Sequence, residues 1–117
     1  MSKGTAFRAL HEQEGAFIIP NPWDIGSARI LAALGFKALA TTSAGMAFSL
    51  GVTDGHVSRE DTLAHCRALV AATDLPVSAD LEKGFGDSPE SAAETIRAAA
   101  ETGLAGCSIE DLSLIHI

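Results

Sequence analysis

Cysteine is scarce in this chain: Cys66 and Cys107 are the only two, and neither stands in a Cys-x-x-Cys pair or at a Cys/His metal spacing. A thiolate metal site or dithiol redox motif is thereby excluded, and two reduced thiols are expected. Positive charge is also sparse. Eight Lys and Arg face fifteen Asp and Glu, a formal charge of -7, which argues against nucleic-acid phosphates or an anionic membrane surface as partners. An anionic substrate stays within reach if a divalent cation mediates the contact. No apolar run approaches the roughly 18 residues of a membrane span, and the opening "MSKGTAFRAL" has no long apolar core after its positive residue. Neither export nor a membrane anchor is expected, and a cytoplasmic location is. What the chain does have is 117 residues of which 47% are apolar and 20% charged, enough to bury the core of one small domain.

Hydrophobic periodicity divides the chain into alternating elements. "KGTAFRALHEQ" carries apolar residues at helical spacing, and after Gly15 the run "AFIIP" reads as a buried strand ended by Pro20. Asp24 is placed to cap a second helix whose apolar face is Ile25, Ala28, Ile30, Leu31 and Leu34, with Gly35 at its C-terminal end. "FKALATTS" follows as a strand, "AGMAFSLGVTDGHV" as a long loop, and Ser58 as the cap of the helix "REDTLAHCRALVAAT". "LPVSAD" is the next strand and "LEKGFGD" its loop. Ser88 with Pro89 opens a helix running to Gly103, and "LAGCSIED" is the last strand.

Strict alternation of strand and helix implies a parallel sheet covered by helices. "LAALGFKALATTS" and "AAAETGLAGCSIED" echo each other as helix end, glycine, strand and polar residues, which favours a (β/α) barrel over a doubly wound sheet. Such a barrel takes eight strands and about 250 residues. The expected fold is therefore α/β, the N-terminal half of a (β/α)8 TIM-type barrel.

In parallel α/β folds the ligand sits at the carboxyl ends of the strands, and the polar residues collect there. The second strand ends at Thr41, Thr42 and Ser43, the third at Asp80 and Glu82, the fourth at Glu110 and Asp111. Carboxylates gathered without nearby lysine or arginine repel one another, and a hard cation such as Mg2+ is the usual reason to tolerate that. Asp80, Glu82 and Glu110 are accordingly expected to hold magnesium, directly or through water. Any one of them taken alone reads as a solvated loop acid or a helix cap, as Asp87 and Asp111 do. Gly84, Phe85 and Gly86 form a loop able to bring backbone close to a ligand, a pattern that ordinary turns share.

Four stretches, in order and at the expected strand ends, carry a resemblance. "SADLEKGFG" resembles the Asp-x-[Asp/Glu]-x-Gly-[Tyr/Phe]-Gly metal loop of the isocitrate lyase and phosphoenolpyruvate phosphomutase superfamily. "TTSAGMAFSLGVTDG" is similar to its second-strand loop, "AGCSIED" to its fourth strand and "NPWDIGSARIL" to its first strand-to-helix passage in the phosphomutase-like or 2-methylisocitrate lyase-like branch. The resemblance covers about Ala6 to Asp111. It implies a magnesium-dependent enzyme, with Mn2+ as the substitute ion, that cleaves or forms a C-C bond, or a P-C bond, in small 2-oxo acids or enolpyruvate-type substrates. It further implies Asp80, Glu82 and Glu110 on the metal, Asp54 in its outer shell, and Thr42, Ser43 and Ala44 on the substrate, in a homo-oligomeric parent.

Other residues read as structural. His56 is expected in an exposed loop, His65 and Cys66 on a helix, Cys107 buried in its strand, and Trp23 packed at a strand end; Met46 and Phe48 either close over a substrate or bury their loop. The lyase branches carry a Lys-[Lys/Arg]-Cys-Gly-His motif past the fourth strand, and here only "LSLIHI" follows Asp111. The catalytic residues are therefore expected beyond the chain's end. Residues 1–111 are expected to be a partial barrel and residues 112–117 a tail foreign to the family, from a truncated or misjoined reading frame. His116 does not replace the missing motif. A half-barrel exposes strand edges, so the isolated chain is expected to self-associate and to be inactive. Two rival readings stand beside this one: a non-catalytic half-barrel completed by a partner, and a Schiff-base aldolase, for which Lys83 sits in a loop rather than at a strand end.

Overall fold

A computed structural model describes residues 1–112. The tail from Ser113 onward, including His116, lies outside the described residues. Five helices and three short strands follow one another as α1 (Lys3–Glu12), α2 (Ile25–Ala33), β1 (Leu39–Ala40), α3 (Ser43–Ser49), α4 (Arg59–Ala72), β2 (Val77–Asp80), α5 (Pro89–Ala100) and β3 (Gly106–Ser108).

Each helix begins on a side chain that accepts from the third amide after it. Ser2 takes Thr5, Asp24 takes Ser27, Thr42 takes Gly45, Ser58 takes Asp61 and Ser88 takes Ser91. Asp24 and Ser27 complete a reciprocal capping box. Caps of this kind stabilise a helix by about 1 kcal/mol each, and they fix where each loop hands over to its helix. α2 and α5 are both followed by a left-handed glycine, Gly35 at φ 94° and Gly103 at φ 89°, which is the structural form of the sequence echo.

The sheet is parallel, in the order β1, β2, β3, with Leu39 opposite Val77 and Ala79 opposite Cys107. Alternation along β2 sends Val77, Ala79 and Leu81 into the core, while Ser78 and Asp80 stay only half-buried. Val77 and Leu39 pack with Ala28 and Leu69 of α2 and α4. Ala79 and Leu81 pack with Leu63, Cys66 and Ala99 of α4 and α5. Burial of this kind stabilises by about 25 cal/mol per Å2 of apolar surface, and here it locks β2 into register with both helices. Asp80 therefore leaves the sheet at a fixed place.

Three expectations are corrected. Ala16–Pro20 forms no ladder: its recorded backbone bond is from the Ala40 amide to the Pro20 carbonyl, 3.1 Å, and Ile18 is 71% exposed. A strand needs a paired neighbour, and β1, two residues long, supplies one bond. The strand expected through Ser43 ends at Ala40, and the loop expected from Ala44 is helical over its first half, because Thr42 caps α3. Cys107 is exposed rather than buried, since β3 is the edge of the sheet.

Candidate metal centre

Asp80, the last residue of β2, uses both carboxylate oxygens locally. Oδ2 accepts from the Ser43 amide at 3.0 Å and Oδ1 from the Glu82 amide at 3.1 Å. Its own amide donates to the Thr41 hydroxyl at 3.0 Å, and the Thr41 amide donates to the Ser78 carbonyl at 2.9 Å. Thr41 is buried. One carboxylate thus joins the end of β1, the start of α3 and the loop after β2.

Glu82 stands in the left-handed region at φ 54°, a conformation that costs a residue with a Cβ about 1 kcal/mol or more. The Glu82 carbonyl accepts from the Glu110 amide at 2.8 Å, which draws the exposed stretch after β3 up to the same loop. The Glu82 carboxyl is half-buried and pushed above the ordinary carboxylate range, first by burial and then by the charges of Asp54, Asp80 and Glu110. All three of these charged neighbours are acids. Asp54, Asp80 and Glu110, from three separate segments, each lie within electrostatic reach of Glu82.

Asp54, in the segment between α3 and α4, is half-buried, and its Oδ1 is buried with no hydrogen-bond partner. Such an atom costs about 1–3 kcal/mol unless something satisfies it. Thr42 caps α3, its hydroxyl accepting from Gly45 at 3.3 Å; Ser43 is buried and Ala44 half-buried in the first turn. Lys83 turns away to an ion pair with Asp87.

The glycines of the acid loop allow it to pack closely on α5. A Cβ on Gly84 would lie 2.8 Å from the Ala92 backbone, and one on Gly86 would strike Ser91. The buried Thr95 hydroxyl donates to the Gly84 carbonyl at 2.7 Å. Their close approach is to α5, and it seats the loop against that helix. Phe85 is also left-handed, at φ 61°.

The remaining residues fall outside the rim. His56 is exposed and bonds Thr53. Burial pushes the His65 ring down, opposed by the charge of Asp24, and its Nε2 is buried without a partner. Burial drives the Cys66 thiol up to about 11. Trp23 packs edge-on to Phe48 and lies against Gly45, where a Cβ would collide with its ring. Met46 is buried with Ala47 and Val57, and Phe48 is 60% exposed. Sequence reading assigned no role to Thr41; its position in the polar run at a strand end was the one signal available.

Among the described residues no three His, Cys, Asp or Glu side chains converge closely enough to hold a metal ion by themselves. Magnesium does not require three. It keeps several waters and takes one or two carboxylates. An all-oxygen donor set around an anchored Asp80, a charge-stressed Glu82 and an unpartnered Asp54 oxygen fits a hydrated hard cation.

Residues 7–115 match the sequence profile of the family described as phosphoenolpyruvate phosphomutase. A crystal structure from Burkholderia cenocepacia J2315, described as a lyase/mutase, superposes with a TM-score of 0.94 at 62% identity, covering 97% of this chain and 41% of that one. An uncharacterized Mycobacterium tuberculosis protein is 38% identical over 108 residues, 92% of this chain and 41% of its own length. The 2-methylisocitrate lyase of Escherichia coli K12 is 32% identical over 112 residues, 94% of this chain and 38% of that enzyme. The chain therefore spans about two-fifths of the length of these relatives, and its parallel α/β fold corresponds to that share of the homologous structure.

Proposed function

The chain belongs to the phosphoenolpyruvate phosphomutase family, and from that premise we propose that it carries the metal-binding and substrate-binding part of an enzyme acting on small 2-oxo acids or enolpyruvate-type compounds. Carbon-carbon lyase chemistry is the reading we favour within a family of lyases and phosphomutases. The observation that carries it is the meeting of Asp80, anchored through both oxygens, with the half-buried Glu82 and the buried, unpartnered Oδ1 of Asp54.

In such a cleavage negative charge develops on the enolate oxygen of a pyruvate-like fragment. Mg2+, or Mn2+ in its place, would be held by Asp80, Glu82 and Glu110, in part through its own waters, with Asp54 in the outer shell, and when bound would supply the positive charge that offsets it. The chain's own residues position the substrate. In the first turn of α3 the Ser43 amide is committed to Asp80 and the Gly45 amide to Thr42, so we assign the Ala44 amide, with the Thr42 and Ser43 hydroxyls, to the substrate's carboxylate and oxo group. Met46 and Val57 bury the segment from beneath and hold that turn against the acid rim.

In this reading residues 1–111 are a partial barrel, and the acid-base residues belong to the remainder of a longer, homo-oligomeric parent. The isolated chain binds metal and turns nothing over. Magnesium titration followed by calorimetry or thermal shift, beside an assay for pyruvate release from 2-methylisocitrate, tests this. Saturable Mg2+ binding lost in Asp80→Asn, without turnover, is the expected result; no binding, or binding unchanged in Asp80→Asn, rejects it.

A further inference from the structure

Asp80 is the only carboxylate of the rim whose two oxygens are both held by main-chain donors among the described residues. The Ser43 amide reaches Oδ2 across 37 positions of sequence and the Glu82 amide reaches Oδ1 from two residues on. Behind them the buried Thr41 hydroxyl accepts the Asp80 amide. Two N–H groups arriving at opposite oxygens restrict rotation of the carboxylate plane, and so fix the directions in which its unused lone pairs point. A hard cation that demands near-octahedral geometry is sensitive to that direction, and groups that orient a ligand commonly matter 10- to 100-fold to its metal affinity.

Resting on the metal reading above, we propose that the Ser43 main-chain N–H and the Thr41 hydroxyl are positioning groups that aim the Asp80 carboxylate at a divalent cation. Ser43 then serves the metal through its backbone, whatever its hydroxyl does for the substrate. The first turn of α3 and the acid loop form one unit. Neither group touches the ion; each acts through Asp80.

Ser43 is the first residue of α3, where proline is well tolerated, and Thr42 has φ -134° and ψ 121°, the extended conformation that a following proline requires. Ser43→Pro therefore deletes the N–H with the helix start kept, and Ser43→Ala deletes the hydroxyl with the N–H kept. Thr41→Val and Thr41→Ser make the same comparison at the second group.

The test is Mn2+ binding to the 117-residue chain, followed by the electron paramagnetic resonance signal of the free ion, with circular dichroism melts confirming that each variant is folded. The proposal predicts affinity about tenfold weaker or worse in Ser43→Pro and Thr41→Val, and near that of the unmodified chain in Ser43→Ala and Thr41→Ser. Equal affinity across all four, with binding lost in Asp80→Asn, overturns the proposal and leaves the metal reading standing. Absence of binding by the unmodified chain overturns both. Should Ser43→Pro not fold, Thr41→Val against Thr41→Ser decides, and amide exchange at Ser43 in the metal-free chain provides an independent check: it must quicken in Asp80→Ala, which has no side-chain acceptor, and unchanged exchange rejects the clamp.

Discussion

The hydroxyl of Thr95, fully buried on α5, donates to the carbonyl of Gly84 at 2.7 Å, and the acid loop is tied to the helix that follows it by this bond. Arg59 of α4 reaches the same hydroxyl at 3.5 Å and pairs with Glu94 at 3.7 Å. Thr95→Val leaves the Gly84 carbonyl without its donor in the interior, a loss of about 1–3 kcal/mol. Urea unfolding followed by circular dichroism is expected to show a lower midpoint of that size, and Thr95→Ser to recover most of it.

Gly84 makes a sharper demand. Its φ is 91° and a Cβ would sit 2.8 Å from the Ala92 backbone, so Gly84→Ala combines a left-handed alanine with a clash against main chain. Left-handed strain of about 1–2 kcal/mol adds to overpacking of about 1–3 kcal/mol. The expected outcome is a loss of at least about 2 kcal/mol in the same urea assay, with Mg2+ binding weakened because the loop carrying Glu82 is displaced. Gly51→Ala tests positive φ alone, since nothing lies within 4 Å of its Cβ position, and it should cost less.

Gly45 and Trp23 provide an optical readout of α3. The chain has one tryptophan, and its ring occupies the space a Cβ at position 45 would need. Gly45→Ala must push the ring outward, where it is already 49% exposed. A red shift of tryptophan emission with a destabilisation of about 1–3 kcal/mol is expected; unchanged emission would mean that α3 does not sit against Trp23.

These contacts separate what the sequence carries from what it does not. Asp24, Ser58 and Ser88 were readable as caps because a cap bonds an amide three residues away, inside any local window. The alternation of Val77, Ser78, Ala79 and Asp80 likewise placed Asp80 at a strand end. α3 was not readable: its Ser-Ala-Gly-Met-Ala composition resembles a loop, and Gly45 is glycine because of Trp23, 22 positions earlier. The run Ala16–Pro20 has strand composition, but a ladder depends on a partner, which composition does not specify. The hold of Ser43 on Asp80 spans 37 residues and no periodicity encodes it. The acids themselves were legible; the groups that orient them were not.

Thiol reactivity distinguishes the two cysteines. Cys66 is buried in the core and its thiol is pushed up to about 11, whereas Cys107 is exposed on the edge strand β3. Because the thiolate is the nucleophile, Ellman's reagent near neutral pH is expected to titrate Cys107 alone in the folded chain and both thiols in denaturant. Rapid reaction of both without denaturant would mean that α4 does not pack on β2 as described.

Glu82 sets the pH dependence of the metal-free chain. Its carboxyl is raised above the unfolded value by burial and by Asp54, Asp80 and Glu110, so between those two values the folded state holds the proton more tightly than the unfolded one. Stability contributed by protonated Glu82 is present at acid pH and lost as pH rises through the folded value. Thermal melts from about pH 4 to about pH 7.5, a span bracketing the carboxylate range, should show a decline that Glu82→Gln diminishes, leaving that variant the more stable of the two at neutral pH. Mg2+ at neutral pH should raise the melting temperature of the unmodified chain more than that of Glu82→Gln, because it compensates a charge that only the former carries. If Glu82→Gln melts lower than the unmodified chain at neutral pH without metal, the carboxylates are not under mutual strain, and the electrostatic argument for a cation at this rim fails with it.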